Sequence, residues 1–179
     1  MSMTPELVAV LPAHKFDEAR LLNWLQQALP EFGNQMDVKQ FQGGQSNPTY
    51  RVLTREGQMV LRRKPFGKLL PSAHAVDREF RVMNALQNTD VPVPRMYHLC
   101  EDRDVVGSMF YIMEFCQGRI FWDAAIPEVD NAQRTAMYDE MNRVLAALEA
   151  DSAAKSAKKG ARKTAKPATG AKKASGKAA

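Results

Sequence analysis

Apolar positions along the first stretch of the chain recur with a helical period. Phe16, Ala19, Leu22 and Leu25 fall on one face, Leu21, Trp24 and Ala28 widen it, and Pro30 ends it, which predicts a helix from Phe16 to Leu29. The period then shortens to two. Met36 to Phe41, Thr49 to Thr54 and Gln58 to Arg63 read as three strands. The stretch Gln42-Gly43-Gly44-Gln45-Ser46-Asn47-Pro48 separates the first two, Glu56-Gly57 turns the chain into the third, and Pro65-Phe66-Gly67 closes it. Val76, Phe80, Met83 and Leu86 predict a second helix from Ala75 to Gln87, and Val91-Pro92-Val93-Pro94 cannot continue it, so an extended connector follows. Two further strands, Arg95 to Cys100 and Ser108 to Phe115, are joined by the polar turn Glu101-Asp102-Arg103-Asp104; the apolar run Met109 to Met113 predicts that the second is buried. Asn131 to Leu148 reads as a last amphipathic helix carrying Met137, Met141, Val144, Leu145 and Leu148.

The predicted order is therefore helix, three strands, helix, two strands, helix, an α+β arrangement with a five-stranded antiparallel sheet. Composition changes this picture only at the C-terminal end. Residues 150–179 hold nine of the 25 Lys and Arg but one of the 20 Asp and Glu, leaving sixteen bases and nineteen acids elsewhere. A mildly acidic body thus carries a strongly basic tail of Ala, Lys, Gly, Ser and Thr. With no aromatic or large aliphatic residue to bury, the tail is read as disordered. No run reaches the ~18 apolar residues of a membrane span, and Glu6, His14, Lys15 and Asp17 interrupt the start of the chain where a signal core would lie. Two cysteines, Cys100 and Cys116, exclude a disulfide scaffold and suit a cytoplasmic protein.

Three features follow one another suggestively. Gly43-Gly44 lets a backbone approach an anion closely, although an ordinary hairpin loop needs the same residues and the pattern is neither a Walker A loop nor G-x-G-x-x-G. Arg62-Arg63-Lys64 places cations at a strand end, Arg62 and Lys64 to one face and Arg63 to the other; a solvated strand edge is the plain alternative. Glu79 lies in an apolar helix beside Arg78, where it can hold a strand cation or make only a surface salt bridge.

Taken in order, these segments resemble the N-lobe of protein-kinase-like enzymes, and more closely the aminoglycoside/choline phosphotransferase family. The branch they resemble is related to the kinase domain fused to some acyl-CoA dehydrogenases. Phe41-Gln42-Gly43-Gly44-Gln45-Ser46-Asn47-Pro48-Thr49-Tyr50 resembles the family's nucleotide loop, and Val60-Leu61-Arg62-Arg63-Lys64-Pro65 its third strand. Asp77-Arg78-Glu79-Phe80 resembles its helix-C motif; Val91-Pro92-Val93-Pro94 and Tyr111-Ile112-Met113-Glu114-Phe115-Cys116-Gln117-Gly118 resemble its connector and hinge. The similarity runs from about Asp37 to Leu148. It implies that Arg62 contacts the α- and β-phosphates of ATP and that Glu79 is its ion-pair partner. It also implies that Gly43, Gly44, Ser46, Asn47 and Thr49 cover the phosphates. Val60 would pack on the base, Met113 would back the pocket, and Glu114 and Cys116 would offer backbone hinge groups.

Phosphoryl transfer also needs a group that orients the acceptor hydroxyl and acids that hold Mg²⁺. In the family these come as H-x-D-x-x-x-x-N and then D-x-D or D-x-E. None of His14, His74 and His98 begins an H-x-D, so catalytic and metal-binding residues are not assigned. The expected organisation is an N-terminal helical segment (1–35), a nucleotide-binding N-lobe (36–116), a linker with the first helix of a truncated C-lobe (117–149) and a disordered basic tail (150–179). The function implied is phosphorylation of a small-molecule hydroxyl by ATP in the full-length family, with this chain inactive by itself. The other reading is a non-catalytic binding protein whose tail neutralises nucleic acid or another polyanion.

Overall fold

The computed structural model describes residues 6–33, 35–42, 47–67, 75–121 and 123–164, with side chains as far as residue 152. Two-residue alternation in the chain becomes two unlike faces of one antiparallel sheet. Strands β1 (Leu7–Val8), β2 (Met36–Phe41), β3 (Thr49–Thr54), β4 (Gln58–Arg63), β5 (Met96–Cys100) and β6 (Phe110–Glu114) lie in the order β1-β2-β3-β4-β6-β5. The helices are α1 (Glu18–Ala28), α2 (Val76–Leu86), the single turn α3 (Arg103–Val106) and α4 (Asn131–Thr164).

One face carries Val38, Tyr50, Val52, Met59, Leu61, Phe110 and Ile112, all buried, and α1 covers it with Leu21 and Leu25. Asp17 caps α1, accepting from the amides of Ala19 and Arg20 at 3.0 and 3.1 Å. Trp24 stands edge-on to Phe110, their centroids 4.9 Å apart. The opposite face carries Arg62, Tyr111 and Met113, and α2 packs there through Val76, Phe80 and Met83. The sheet is thus sandwiched between two helices, and the α2 face is the one that holds the strand cation.

The sheet has six strands where the sequence reading had five. Leu7–Val8 adds an edge strand, with Leu7 opposite Phe41 and Val8 opposite Gln40, and the amide of Gln42 donates to the Glu6 carbonyl at 3.0 Å. The segment 1–35 is therefore not only helical. A two-residue strand is too short to show a period, which is why the pattern did not reveal it. The polar turn after β5 forms α3, capped by Asp102, whose carboxylate accepts from the Asp104 amide at 2.8 Å. Gly107 ends α3 at φ 85°; a Cβ there would meet the Phe66 ring at 2.5 Å, so both conformation and space demand glycine.

A second difference concerns α4. The periodicity ends the helix at Leu148 and composition makes the following residues disordered, yet the helix continues through Thr164. Low hydrophobicity argues against a packed core, not against a helix, and Ala, Lys and Arg rank among the strongest helix formers. Residues 165–179 lie outside the described residues. The start of α4 is tied to the preceding loop by Arg134, which donates to the carbonyls of Ile126 and Val129 at 3.0 and 3.1 Å. Tyr138, Met141, Leu145 and Leu148 remain exposed along one stripe. None of the helices among the described residues is long and apolar enough to cross a membrane.

Candidate functional site

The α2 face of β4 gathers most of the predicted site. Arg62 donates from Nε to Glu79 Oε2 at 2.8 Å, from Nη2 to Glu79 Oε1 at 3.5 Å, and from Nη1 to Thr49 Oγ1 at 3.0 Å. The strand register causes this, since Thr49 of β3 lies directly across from Arg62. Asn47, just before β3, donates from Nδ2 to Glu79 Oε1 at 3.0 Å, and its carbonyl accepts from Thr49 Oγ1 at the same distance. Glu79 is thus more than half of a surface ion pair: it joins Asn47 to the strand cation. The Arg62 and Glu79 side chains are 30% and 34% exposed, so the pair is half-buried and still reachable by a ligand.

A guanidinium has five N–H donors. Three of those on Arg62 serve Glu79 and Thr49, and two find no partner among the described residues. Its position is fixed from two sides, which a lysine ammonium could not match in the same plane. A groove of about 620 Å³ opens beside it, walled by Arg62, Arg78, Glu79, Val82, Tyr111 and Met113 among others.

Tyr111 is a member of this cluster to which the sequence reading gave no role of its own, placing it only in a buried apolar run and in the hinge-like segment. It lies across from Arg62 on β6, and its hydroxyl donates to Glu79 Oε2 at 3.0 Å. Burial and the neighbouring Glu79 carboxylate both raise its pKa, so it stays a neutral donor. The only early signal for it was that a tyrosine in a buried strand needs a partner for its hydroxyl.

Towards the other end of the same face, Val60, expected against the base, pairs directly with Met113, expected at the back of the pocket. Val60 is 6% exposed. Above this floor Phe41 and Phe115 stack, their ring centroids 6.3 Å apart and their planes 14° from parallel. β2 and β6 are separated by β3 and β4, a span of about 14 Å at normal strand spacing, so both rings must lean inward over the sheet. Neither phenylalanine was singled out from the sequence. At the end of β6, Glu114 donates its amide to the Arg95 carbonyl at 2.8 Å and accepts the Arg95 amide on Oε2 at 3.0 Å. That fastens the end of β6 to the proline-rich connector. Cys116 is exposed, its thiol pKa raised by partial burial and by Glu114. Gly43, Gly44 and Ser46 lie outside the described residues.

Arg63, the neighbouring cation, is not a solvated strand edge. It is fully buried on the α1 face. Its Nε donates to Tyr50 Oη at 2.9 Å, Nη1 to the Val106 carbonyl at 3.0 Å and Nη2 to the His14 carbonyl at 2.9 Å, and the Phe66 ring covers it at 3.9 Å. Burial lowers its pKa, with Tyr50 opposing that shift.

Comparison with known proteins agrees with this geometry. Residues 37–174 match the model of the phosphotransferase enzyme family. That match starts where the sequence similarity was seen to begin and runs past Leu148, where it was seen to end. The chain is 52% identical over 110 residues to acyl-CoA dehydrogenase family member 10 of Mus musculus, covering 62% of this chain and 10% of that protein. It is 45% identical over 152 residues to acyl-CoA dehydrogenase family member 11 of Rattus norvegicus, covering 83% and 20%. A crystal structure from Ralstonia eutropha, assigned to the aminoglycoside phosphotransferases, is 49% identical and superposes with a TM-score of 0.64 over 74% of this chain and 38% of its own. The chain spans a fifth or less of the two curated relatives. Its sheet and helices are those of a kinase-like N-lobe, and the chain belongs to the phosphotransferase enzyme family.

Proposed function

We propose that this chain supplies the nucleotide-binding half of an ATP-dependent phosphotransferase whose acceptor is a small-molecule hydroxyl. The observation that carries the reading is Arg62, held by Glu79 and Thr49 with two N–H groups left over, on the same sheet face as Val60 and Met113. The guanidinium suits the α- and β-phosphates, and the apolar pair suits a base. Phe41 and Phe115 cover that base platform and have to part for a nucleotide to reach it.

Mg²⁺ does not fit the residues described. A carboxylate offers about four acceptor positions, and on Glu79 they are taken by Arg62 Nε and Nη2, Asn47 Nδ2 and Tyr111 Oη. Among the described residues no three His, Cys, Asp or Glu side chains form a group able to hold a metal ion. No histidine in the sequence opens the H-x-D motif that orients an acceptor. The chain therefore positions nucleotide phosphates, and activation of the acceptor hydroxyl belongs to residues it does not have.

Titration of the full chain with ATP tests this. Wild-type protein is expected to bind ATP, Arg62→Ala to bind at least about tenfold more weakly, and neither to transfer phosphate to an alcohol. Wild-type protein that binds no ATP, or transfers phosphate unaided, contradicts the reading.

A further inference from the structure

We infer that Tyr111 is a positioning residue for Arg62, acting through the Glu79 carboxylate; the inference rests on the nucleotide reading above. Glu79 sits on α2 with its carboxylate at the end of a flexible stem, and its terminal torsion has a broad preference. Something besides Arg62 must fix that torsion if Glu79 is to orient Arg62 rather than follow it. Two donors do so. Asn47 holds Oε1 from the edge of the nucleotide-loop segment, and Tyr111 holds Oε2 from the centre of the sheet.

Both anchors are buried, Asn47 being 3% exposed. The Tyr111 ring is 1% exposed and packs with Val76 and Met96, with the Phe80 ring 6.1 Å away. It stands on β6 directly opposite Arg62, so one ladder pair delivers both the guanidinium and the hydroxyl to the same carboxylate oxygen, at 2.8 and 3.0 Å. The phenol keeps its proton across neutral pH and always donates. Asn47 reaches Oε1 from the residues just before β3, whereas Tyr111 reaches Oε2 from the strand next to Arg62 and keeps the carboxylate, and with it the guanidinium plane, in place.

The test uses the full chain with Tyr111→Phe, which keeps the ring and its packing and removes only the hydroxyl. ATP and adenosine are titrated into wild type, Y111F, E79Q and the double variant. In parallel, ¹⁵N NMR follows exchange of the Arg62 Nε–H with water. Y111F is expected to weaken ATP binding about tenfold, to leave adenosine affinity unchanged, to speed Arg62 Nε–H exchange, and to add nothing in the Glu79→Gln background. ATP affinity equal to wild type, or an equal loss for ATP and adenosine, overturns the inference. If wild type binds no ATP, the nucleotide reading falls by itself. The exchange rate then decides on Tyr111, since faster exchange in Y111F upholds positioning and unchanged exchange overturns it.

Discussion

Arg62 and Arg63 are consecutive on β4 and serve opposite sides of the sheet. Arg62 shares its guanidinium between Glu79 and Thr49 at a groove open to ligand, while Arg63 is sealed beneath α1 among Tyr50, His14 and Val106. A one-residue step along a strand reverses the side-chain direction. The result is one cation facing the groove and one given over to structure.

Removing these two residues should therefore have contrasting effects on stability. Arg63→Ala leaves the Val106 carbonyl without its side-chain donor and takes one donor each from the Tyr50 hydroxyl and the His14 carbonyl, and is expected to cost about 3 kcal/mol of unfolding free energy. Arg62→Ala removes a half-exposed pair and is expected to cost less than about 1 kcal/mol. Urea denaturation of the two variants checks this, and equal midpoints would contradict the assignment of Arg63.

Stability should also fall in alkali. Burial raises the pKa of both Tyr50 and Tyr111; Arg63 opposes the shift at Tyr50, and Glu79 reinforces it at Tyr111. A phenol that holds its proton more tightly in the folded chain contributes its full stability below about pH 10, the unfolded value, and loses it as pH rises beyond that. Urea midpoints are expected to drop above pH 10, and less steeply for Y111F. An identical slope in wild type and Y111F would remove Tyr111 from this account.

Cys116 is exposed yet should react slowly. Partial burial and Glu114 keep its thiol protonated at a pH where an unstructured cysteine is already part thiolate. Iodoacetamide is expected to modify it more slowly than a cysteine in a short peptide at about pH 8, and faster after Glu114→Gln. Cys100, buried, is expected to react only on unfolding. Modification of Cys116 at the peptide's rate would refute this.

The stripe of Tyr138, Met141, Leu145 and Leu148 should make the chain associate with itself. Light scattering is expected to show mass rising with concentration in the µM to mM range. Met141→Glu with Leu145→Glu should suppress the rise. A wild-type chain that stays monomeric throughout would mean that the stripe is tolerated in water.

Strands β2, β3 and β4 were legible from the sequence to the residue because their alternation is strict and Asn47-Pro48 and Glu56-Gly57 punctuate them. β1 and α3 were not, since two residues and a single turn carry no period, and the polar Asp102-Arg103-Asp104 hides the buried Val105 and Val106 behind it. The Arg62–Glu79 pair was expected from family resemblance. Its further partners, Asn47, Thr49 and Tyr111, emerge only when the register places them. Arg63 could not have been read as buried: a strand-end cation looks solvated until segments 49 and 43 residues away bring it carbonyls.

Those separations have a consequence for how the molecule opens. The carbonyl of His14 also accepts the Tyr50 hydroxyl at 3.1 Å, and the His14 ring meets Gln40 Nε2 at 2.9 Å, so the segment before α1 is joined to β2, β3 and β4 at once. Lifting that segment away takes an acceptor from a buried guanidinium, so local fraying there is costly. Amides around residues 11–14, at the outside of the molecule, are thus drawn into the same cooperative unit as the core strands and should exchange with solvent only when that unit opens.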